Sequence, residues 1–165
     1  MAKQKRTAHK TNAQREVEAA GFEATYHSLD VEDGFALSGS EMARVLGENP
    51  DCVFKTLVTQ GKSGEHYVFM VPVDCELDLK KAADAVDEKA IAMIRAKELL
   101  PLTGYVHGGC SPLGMKKQFR TAIDETAQLY DKIIFSAGRV GAQIEMSPSD
   151  LAQMIPLAFA DITVV

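Results

Sequence analysis

The sequence predicts a single-domain α+β protein in which a mixed, mostly antiparallel sheet curls into a barrel-like core flanked by helices. Its 165 residues are 46% hydrophobic and 25% charged, the profile of one globular domain. A chain of this length buries about two thirds of its extended surface, so it can form one core. Strand-like and helical segments alternate without a βαβ period, which favours a mixed sheet over a parallel one.

The N-terminal half begins with a clear helix signal. Thr11 or Asn12 can cap a helix that Gly21 ends, because glycine tolerates the left-handed conformation found at helix ends. The strongest strand signal is a pair of β-branched and aromatic runs joined by Gly61-Lys-Ser-Gly-Glu65, which predicts a hairpin. The predicted segments are a basic mobile tail over 1–10, a domain over 11–165, a helix over 12–20, a strand over 22–29, a short helix over 38–47 capped by Ser38 or Ser40, and strands over 53–60 and 66–73.

The C-terminal half continues the alternation and contains a glycine-rich loop. The segment 104–114 holds four of the 12 glycines of the chain. The predicted elements are a helix over 78–87, an apolar piece over 90–94, a helix over 95–100 ending at Pro101, a strand over 119–123, a short helix over 124–130, strands over 132–136 and 142–146, a helix over 148–155 capped by Ser147 or Ser149, and a closing strand over 159–165.

The charge distribution disfavours a protein that reads DNA. The chain has 18 basic and 23 acidic side chains, and five of the basic ones lie in the first 15 residues, which contain no acid. The other 150 residues therefore have 13 basic and 23 acidic side chains, a net charge of −10. DNA-binding surfaces need concentrated Lys and Arg. Contact with one end of an RNA is still compatible with this composition.

Cysteine and histidine spacing suggests no metal site, and we expect no cofactor. Cys52, Cys75 and Cys110 are far apart without a CxxC pair, and the four histidines show no metal-ligand spacing. No apolar run approaches the roughly 18 residues of a membrane span, and the basic start lacks the apolar core of a signal peptide. We therefore expect a cytoplasmic protein without membrane attachment.

Lys55 is the first candidate functional residue. In a strand over 53–60 it shares a face with Val53 and Leu57, and the opposite face is also largely apolar. A buried ammonium group is costly unless it is paired or functional. The alternative is an edge-strand lysine whose ammonium reaches water while its stem packs on apolar surface. Spacing alone favours neither interpretation.

The glycine-rich loop is the second candidate. Gly108 and Gly109 let the backbone approach a ligand and turn its amides toward an anion or a developing oxyanion. Considered alone, the pattern favours a tight structural turn. Cys110 has no nucleophile-elbow pattern around it, so a packed, unreactive thiol is favoured. Three basic residues follow the loop and form either a solvated face or a contact for phosphates: Lys116, Lys117 and Arg120.

Several motifs, in order, resemble the YbaK family of free-standing aminoacyl-tRNA deacylases, which are related to the editing domain of prolyl-tRNA synthetases. The motifs are Val53-Phe-Lys-Thr-Leu-Val58, Leu77-Asp-Leu-Lys-Lys81, Gly104-Tyr-Val-His-Gly-Gly-Cys-Ser-Pro-Leu-Gly-Met-Lys-Lys117 and Phe159-Ala-Asp-Ile162. The resemblance runs from about Asn12 to the C-terminus and leaves only the basic tail outside it.

The resemblance implies an aminoacyl-tRNA deacylase, of hydrolase or lyase type, that clears a mischarged tRNA, with cysteine on tRNA(Pro) as the expected substrate and prolyl-tRNA synthetase as a further partner. In the mechanism it implies, the substrate's own thiol attacks its carbonyl to give a thiolactone. The implied catalytic residues are Lys55, as a cation near the terminal adenosine's phosphate or carbonyl region, and Gly108, whose backbone orients the ester. The implied substrate-binding residues are Thr56, Gly109, Ser111, Pro112 and Ser136.

Three positions depart from the family pattern and bear on specificity. Leu29 stands where cysteine-clearing members have tyrosine, Ser38 where they have phenylalanine, and Gln143 where they have aspartate. These differences leave open which amino acid is cleared. They also leave open a non-catalytic module that binds a tRNA end or a nucleotide in the same pocket, and an interaction domain in which Lys55 merely reaches solvent.

Overall fold

The computed structural model describes residues 10–28 and 39–164. In the described chain, the α-helices are α1 (Asn12–Ala20), α2 (Gly39–Leu46), α3 (Leu79–Ala85), α4 (Ala96–Thr103) and α5 (Pro148–Met154). The strands are β1 (Thr25–Ser28), β2 (Phe54–Gly61), β3 (His66–Pro72), β4 (Ile91–Met93), β5 (Arg120–Asp124), β6 (Ile133–Ser136), β7 (Ala142–Met146) and β8 (Leu157–Ala160). Short 3-10 helices span Pro50–Cys52 and Glu125–Leu129.

The strands form two sheets that meet at one bridge. One sheet has the order β1-β7-β6 and is antiparallel, and the other has the order β4-β2-β3-β5-β8. In the larger sheet β2 pairs antiparallel with β3 and β4, whereas β5 lies parallel to β3 and β8. Val53, just before β2, makes an isolated parallel bridge to Ile134 of β6. The α+β class and the mixed, mostly antiparallel pairing are confirmed, but the sheet is not closed into a barrel.

The two faces of the β2–β3 hairpin pack into different parts of the core. Phe54 and Met70 face a cluster that includes Val17 of α1 and Phe135 of β6. On the opposite face, Phe69 packs with Ala82 and Ala83 of α3. Because side chains alternate along a strand, this two-sided burial explains why both faces of the hairpin are apolar. The hairpin is thus the central element between α1 and the small sheet on one side and α3 on the other.

The N-terminal helix has the bounds that its cap residues predict. The Thr11 side chain accepts a hydrogen bond from the Gln14 N–H at 3.1 Å, and Gly21 adopts a left-handed φ of 76°. Of the predicted tail, residues 1–9 lie outside the described residues, and Lys10 forms an ion pair with Glu18 at 2.8 Å. The Ser38 and Ser40 side chains, proposed as caps of α2, also lie outside the description.

Helix α4 does not end at Pro101, so that prediction is wrong. Proline removes one backbone donor inside the helix, but the following turn is held by other bonds. The buried Thr103 hydroxyl donates to Leu99 O at 2.7 Å, and the Gly104 N–H donates to Leu100 O at 2.9 Å. The Lys116 ammonium donates to Pro101 O at 3.3 Å. These contacts extend α4 to Thr103.

The closing strand is shorter and earlier than the predicted 159–165, since β8 spans Leu157–Ala160. Beyond it the chain leaves β5, because the Ile162 N–H donates to the Asp124 carboxylate at 3.2 Å and Ile162 O accepts from the Asp78 N–H at 2.8 Å. Residues 124–130, predicted as a helix, form the 3-10 helix Glu125–Leu129. No helix within the described ranges is long and apolar enough to cross a membrane.

Replacing Asp124 with alanine is expected to lower the free energy of unfolding by about 2 kcal/mol, because buried donors lose their acceptor. Asp124 is 2% exposed and accepts from the Ile162 N–H, from the Thr126 N–H at 3.3 Å and from the Thr126 hydroxyl at 2.5 Å. Urea denaturation measures the change. The exposed Asp131→Ala variant is the control, with an expected change within about 0.5 kcal/mol; equal effects from the two substitutions would contradict the role given to Asp124.

Candidate active site

The junction between the two sheets places Lys55 and Ser136 on one face. Val53 and Ile134 are bridge partners in parallel strands. Two residues further along each strand come Lys55 and Ser136, and residues two apart share a face. Ser136 ends β6, so its side chain lies where the small sheet gives way to a turn. The register therefore brings these two predicted residues to the same side of the junction.

Lys55 is half-buried and has no carboxylate partner in the described part of the chain. It lies opposite the fully buried Val71 and shares a face with Leu57. Its ammonium nitrogen forms neither a hydrogen bond nor an ion pair within 4 Å to any residue of 10–28 and 39–164. Burial raises the pKa of the nearby Cys75 thiol, and the positive charge of Lys55 opposes that rise. Lys55 is thus a cation in a partly desolvated position with no carboxylate bound to it among residues 10–28 and 39–164.

The glycine-rich loop packs against the turn that follows Ser136. The Gly109 N–H donates to Val106 O at 3.0 Å, and a methyl group placed on Gly109 would lie 2.9 Å from the backbone nitrogen of Val140. Gly108 has a φ of 84°, the left-handed conformation that favours glycine. Gly108 is exposed and Gly109 is buried. The loop therefore exposes Gly108 beside the end of β6.

Further contacts fix both sides of this loop–turn junction. The Tyr105 hydroxyl donates to Leu113 O at 2.6 Å, which closes the glycine-rich segment on itself. A methyl group on Gly138 would lie 2.7 Å from the Tyr105 ring. The Ser136 hydroxyl oxygen accepts from the Gly138 N–H at 3.1 Å, so Ser136 is held by the same turn. Such close backbone packing gives the loop a defined position.

The remaining predicted site residues lie in the interior behind this junction. Ser111 and Pro112 are buried, and the Ser111 hydroxyl oxygen accepts from the Leu113 N–H at 3.3 Å. Thr56 points to the face of β2 opposite Lys55, and its hydroxyl oxygen is buried without a hydrogen-bond partner in the described chain. The register thus puts Lys55 and Ser136 on one face, and the Gly108–Gly109 loop packs against the turn that follows Ser136. Thr56 lies on the opposite face of β2, and Ser111 and Pro112 are buried.

Cys110 is a packed thiol. It is 8% exposed and lies in a cluster with Val58, Val68 and Tyr105. Burial raises the pKa of the Cys110 thiol to about 12, so the nucleophilic thiolate is scarce at neutral pH. This agrees with the unreactive role favoured by the sequence.

Cys110→Ala is expected to change the deacylation rate that the family resemblance implies by no more than about threefold, because a buried thiol that does not ionise contributes no nucleophile. Iodoacetamide labelling of the native wild type at pH 8, followed by peptide mass spectrometry, should modify Cys110 only after unfolding. Fast labelling of Cys110 in the folded protein, together with inactivation, would contradict this assignment.

A cluster of polar side chains, which the sequence did not predict, lies on the face of the small sheet that carries Ser136. Gln143 pairs with Ser136 on one side and with His27 on the other. Oriented to donate, the Gln143 amide nitrogen lies 3.1 and 3.3 Å from the two Glu48 carboxylate oxygens. His27 Nε2 lies 3.1 Å from Glu145 Oε1. Of the three family departures, Gln143 is described here, whereas Leu29 and Ser38 lie outside the described residues.

This polar group borders an open cleft of about 180 Å³. His27, Arg139 and Gln143 line the cleft, together with Thr11 and Gln14 from the start of α1. Desolvation raises the pKa of the Glu48 carboxyl group, and the nearby His27 opposes that rise. The sequence signal that could have singled out Glu48 is its acidic side chain just after a helix C-terminus, where the helix dipole disfavours negative charge.

The basic cluster after the loop has structural contacts of its own. Lys116 reaches Pro101 O, Lys117 lies 5.9 Å from the centre of the Phe119 ring, and an Arg120 guanidinium nitrogen donates to Val86 O at 3.4 Å. All three residues are exposed, so their charges are solvated. No group of His, Cys, Asp and Glu side chains suited to a metal ion occurs within residues 10–28 and 39–164.

Comparisons with known proteins agree with the resemblance seen in the motifs. The model of the aminoacyl-tRNA editing domain matches residues 36–154. EbsC of Enterococcus faecalis, a proposed Cys-tRNA(Pro)/Cys-tRNA(Cys) deacylase, is 44% identical over 159 residues, covering 96% of each chain. The prolyl-tRNA editing protein ProX of Acetoanaerobium sticklandii is 25% identical over 124 residues, covering 74% of this chain and 71% of ProX.

A solved structure extends the agreement to the fold. The crystal structure of a proposed trans-editing enzyme for prolyl-tRNA synthetase superposes with a TM-score of 0.81 at 25% identity, covering 93% of this chain and 96% of the other. The family model alone spans well over half of the sequence. The chain therefore belongs to the YbaK family of aminoacyl-tRNA editing domains.

Proposed function

We propose that this protein is a trans-editing deacylase that removes cysteine from Cys-tRNA(Pro). The observation that carries the proposal is the Lys55 ammonium, without a carboxylate partner among the described residues, on the same face as Ser136, whose following turn packs against the Gly108–Gly109 loop. Cysteine and proline are close in size, so an apolar synthetase pocket separates them poorly and a second enzyme is needed. The name of EbsC, with 44% identity, supports the same substrate.

In the proposed reaction the substrate supplies the nucleophile. The cysteine sulfur attacks the ester carbonyl, the bond from that carbonyl to the terminal ribose oxygen breaks, and the thiol proton passes to that oxygen. The products are a cysteine thiolactone, which water then opens, and tRNA with a free terminal hydroxyl. The enzyme needs to hold thiol and carbonyl in the attacking geometry, a source of large rate enhancement in intramolecular reactions. The buried Cys110 has no part in it.

Each residue of the site has a role that fits its position. Lys55 would bind the phosphate or carbonyl region of the terminal aminoacyl-adenosine, since a partly desolvated cation binds an anion strongly. Gly108 would orient the ester with its backbone, and Ser136 would contribute a hydroxyl. Thr56, Gly109, Ser111 and Pro112 would shape the pocket from behind.

The proposed setting is a cytoplasmic one in which the enzyme meets tRNA after its release, with prolyl-tRNA synthetase as a partner. The domain over 11–165 would carry the site, and the basic tail over 1–10 would help attract the acceptor end. Because the body of the protein is acidic, we expect modest tRNA affinity that falls with salt.

A comparison of Cys-tRNA(Pro) with Ser-tRNA(Pro) tests the mechanism, because serine differs from cysteine only by oxygen in place of sulfur. Under single-turnover conditions the cysteine ester should be cleared at least about 100-fold faster than the serine ester. Equal rates would point to attack by water and contradict the thiol mechanism. Saturable tRNA binding without turnover of any ester would instead favour the non-catalytic binding module.

A further inference from the structure

Glu48 has a position that is hard to explain by stability. Gly47, with a φ of 70°, ends helix α2, and the Glu48 N–H donates to Ala43 O at 2.8 Å. This bond fixes the Glu48 backbone at the helix C-terminus. Negative charge is disfavoured there, because the helix dipole already places partial negative charge at that end. A carboxylate at this position therefore indicates a role other than stabilising the fold.

The Glu48 carboxylate contacts the neutral side-chain amide of Gln143, which lies on the same face of the small sheet as Ser136. Gln143 is 5% exposed, and its nitrogen lies 3.1 and 3.3 Å from the Glu48 carboxylate oxygens. Ser136 is the direct neighbour of Gln143 across β6 and β7, so the amide that contacts the carboxylate lies beside this predicted site residue. The amide aims the carboxylate without neutralising its charge.

Desolvation raises the pKa of the Glu48 carboxyl group and Glu145 adds to that rise, so a bound cation would favour its charged form. In the described part of the chain no Lys, Arg or His nitrogen lies within 4 Å of it. His27, which faces it from β1, lies beside Glu145, and Glu145 adds a second negative charge to the group. Partly desolvated carboxylates attract cations strongly, since the local dielectric constant is low. Gln143, whose amide contacts this carboxylate, lines the adjoining cleft together with His27 and Arg139.

We infer that Glu48, aimed by the Gln143 amide, binds the α-ammonium group of the aminoacyl substrate. This inference rests on the proposed function, because an aminoacyl ester carries that cation one carbon from the reacting carbonyl. Lys55 then binds the anionic or carbonyl side of the substrate, and Glu48 binds its cationic side. Two opposite charges that flank the ester orient it more firmly than either one alone. Acyl groups without an amine would be poor substrates.

The test uses a substrate that keeps the thiol and ester and lacks the amine. The wild type and Glu48→Gln are each assayed under single-turnover conditions with two substrates, Cys-tRNA(Pro) and 3-mercaptopropionyl-tRNA(Pro). Because hydrogen bonds to charged groups are strong, we expect the wild type to clear Cys-tRNA(Pro) about tenfold or more faster than the desamino substrate. Glu48→Gln should lose that factor on Cys-tRNA(Pro) and stay unchanged on the desamino substrate. Equal slowing on both substrates, or no slowing on either, would overturn the inference.

A matched carboxylate-to-amide control is Asp84→Asn, an exposed position on α3 across the β2–β3 hairpin from the small sheet. It should change neither rate. Melting temperatures of the three proteins identify a variant that fails to fold.

An equilibrium measurement separates failure of this inference from failure of the proposed function. The probes are 3′-(cysteinylamino)-3′-deoxyadenosine and its desamino counterpart, amides that cannot be cleaved as esters. Wild type should bind the amine-bearing probe about tenfold more tightly, and Glu48→Gln should bind the two equally. Equal binding of both probes by the wild type would overturn the role of Glu48 whatever the turnover. The expected binding difference without any ester turnover would refute only the deacylase proposal.

Discussion

Lys55→Met is expected to slow the deacylation of Cys-tRNA(Pro) by about 100- to 1,000-fold, the range for removal of one electrostatic stabiliser from an active site. Methionine keeps an apolar stem of similar length and removes the ammonium group. The rate constant of ester loss under single-turnover conditions measures the effect, and Lys55→Ala should give the same result.

The same substitution should leave the melting temperature unchanged or raise it. A half-buried ammonium without an ion pair in the described chain costs desolvation energy, which methionine does not incur. Lys62, exposed in the turn of the same hairpin, offers the control: Lys62→Met should affect neither rate nor stability. A Lys55→Met enzyme with more than about a third of the wild-type rate would show that Lys55 merely reaches solvent, as a snorkelling lysine does.

Gly109→Ala is expected to lower the rate by about 100-fold, because a displacement of about 1 Å in a positioned group has that effect. The added methyl group would lie 2.9 Å from Val140 N and 3.1 Å from Arg139 C, both backbone atoms of the turn after β6. Neither backbone atom can rotate away as a side chain would, so the loop must move and carry Gly108 with it. Overpacking of this kind also lowers stability, by about 1–3 kcal/mol.

Gly64→Ala separates the loss of activity from the loss of stability. Gly64 lies in the hairpin turn with a φ of 94° and nothing within 4 Å of the added methyl group. Alanine there costs about 1–2 kcal/mol because of the left-handed backbone, but it is remote from the loop and should leave the rate constant unchanged. If Gly109→Ala loses stability to a similar degree while its rate also stays unchanged, the loop does not position the ester.

Local signals in the sequence predicted most of the elements. The Thr11 cap and the Gly21 stop gave the bounds of α1 because both act within one helical turn. The hairpin followed from two β-rich runs and a short glycine-containing turn. Where tertiary bonds compete with local preference, prediction failed: α4 continues through Pro101, and the Asp124 carboxylate draws the chain at Ile162 away from the sheet.

The site could be predicted only where a motif marked it. Lys55 stood out because an ammonium group among apolar residues is costly, and the loop stood out through its glycines. The alignment of Lys55 with Ser136 depends on a single bridge between strands about 80 residues apart, which no local pattern encodes. Glu48 and Gln143 are likewise distant in sequence, so no local pattern encodes the contact between them.

The lifetime of mischarged tRNA in the presence of the purified protein tests the central claim most directly. The panel is Cys-tRNA(Pro), Cys-tRNA(Cys), Ala-tRNA(Pro) and Ser-tRNA(Pro), each with wild type, Lys55→Met and buffer alone. We predict that wild type shortens the lifetime of the cysteine ester on tRNA(Pro) at least about 100-fold and that Lys55→Met does not. Lifetimes equal to those in buffer across the whole panel would contradict the claim that this protein is a deacylase.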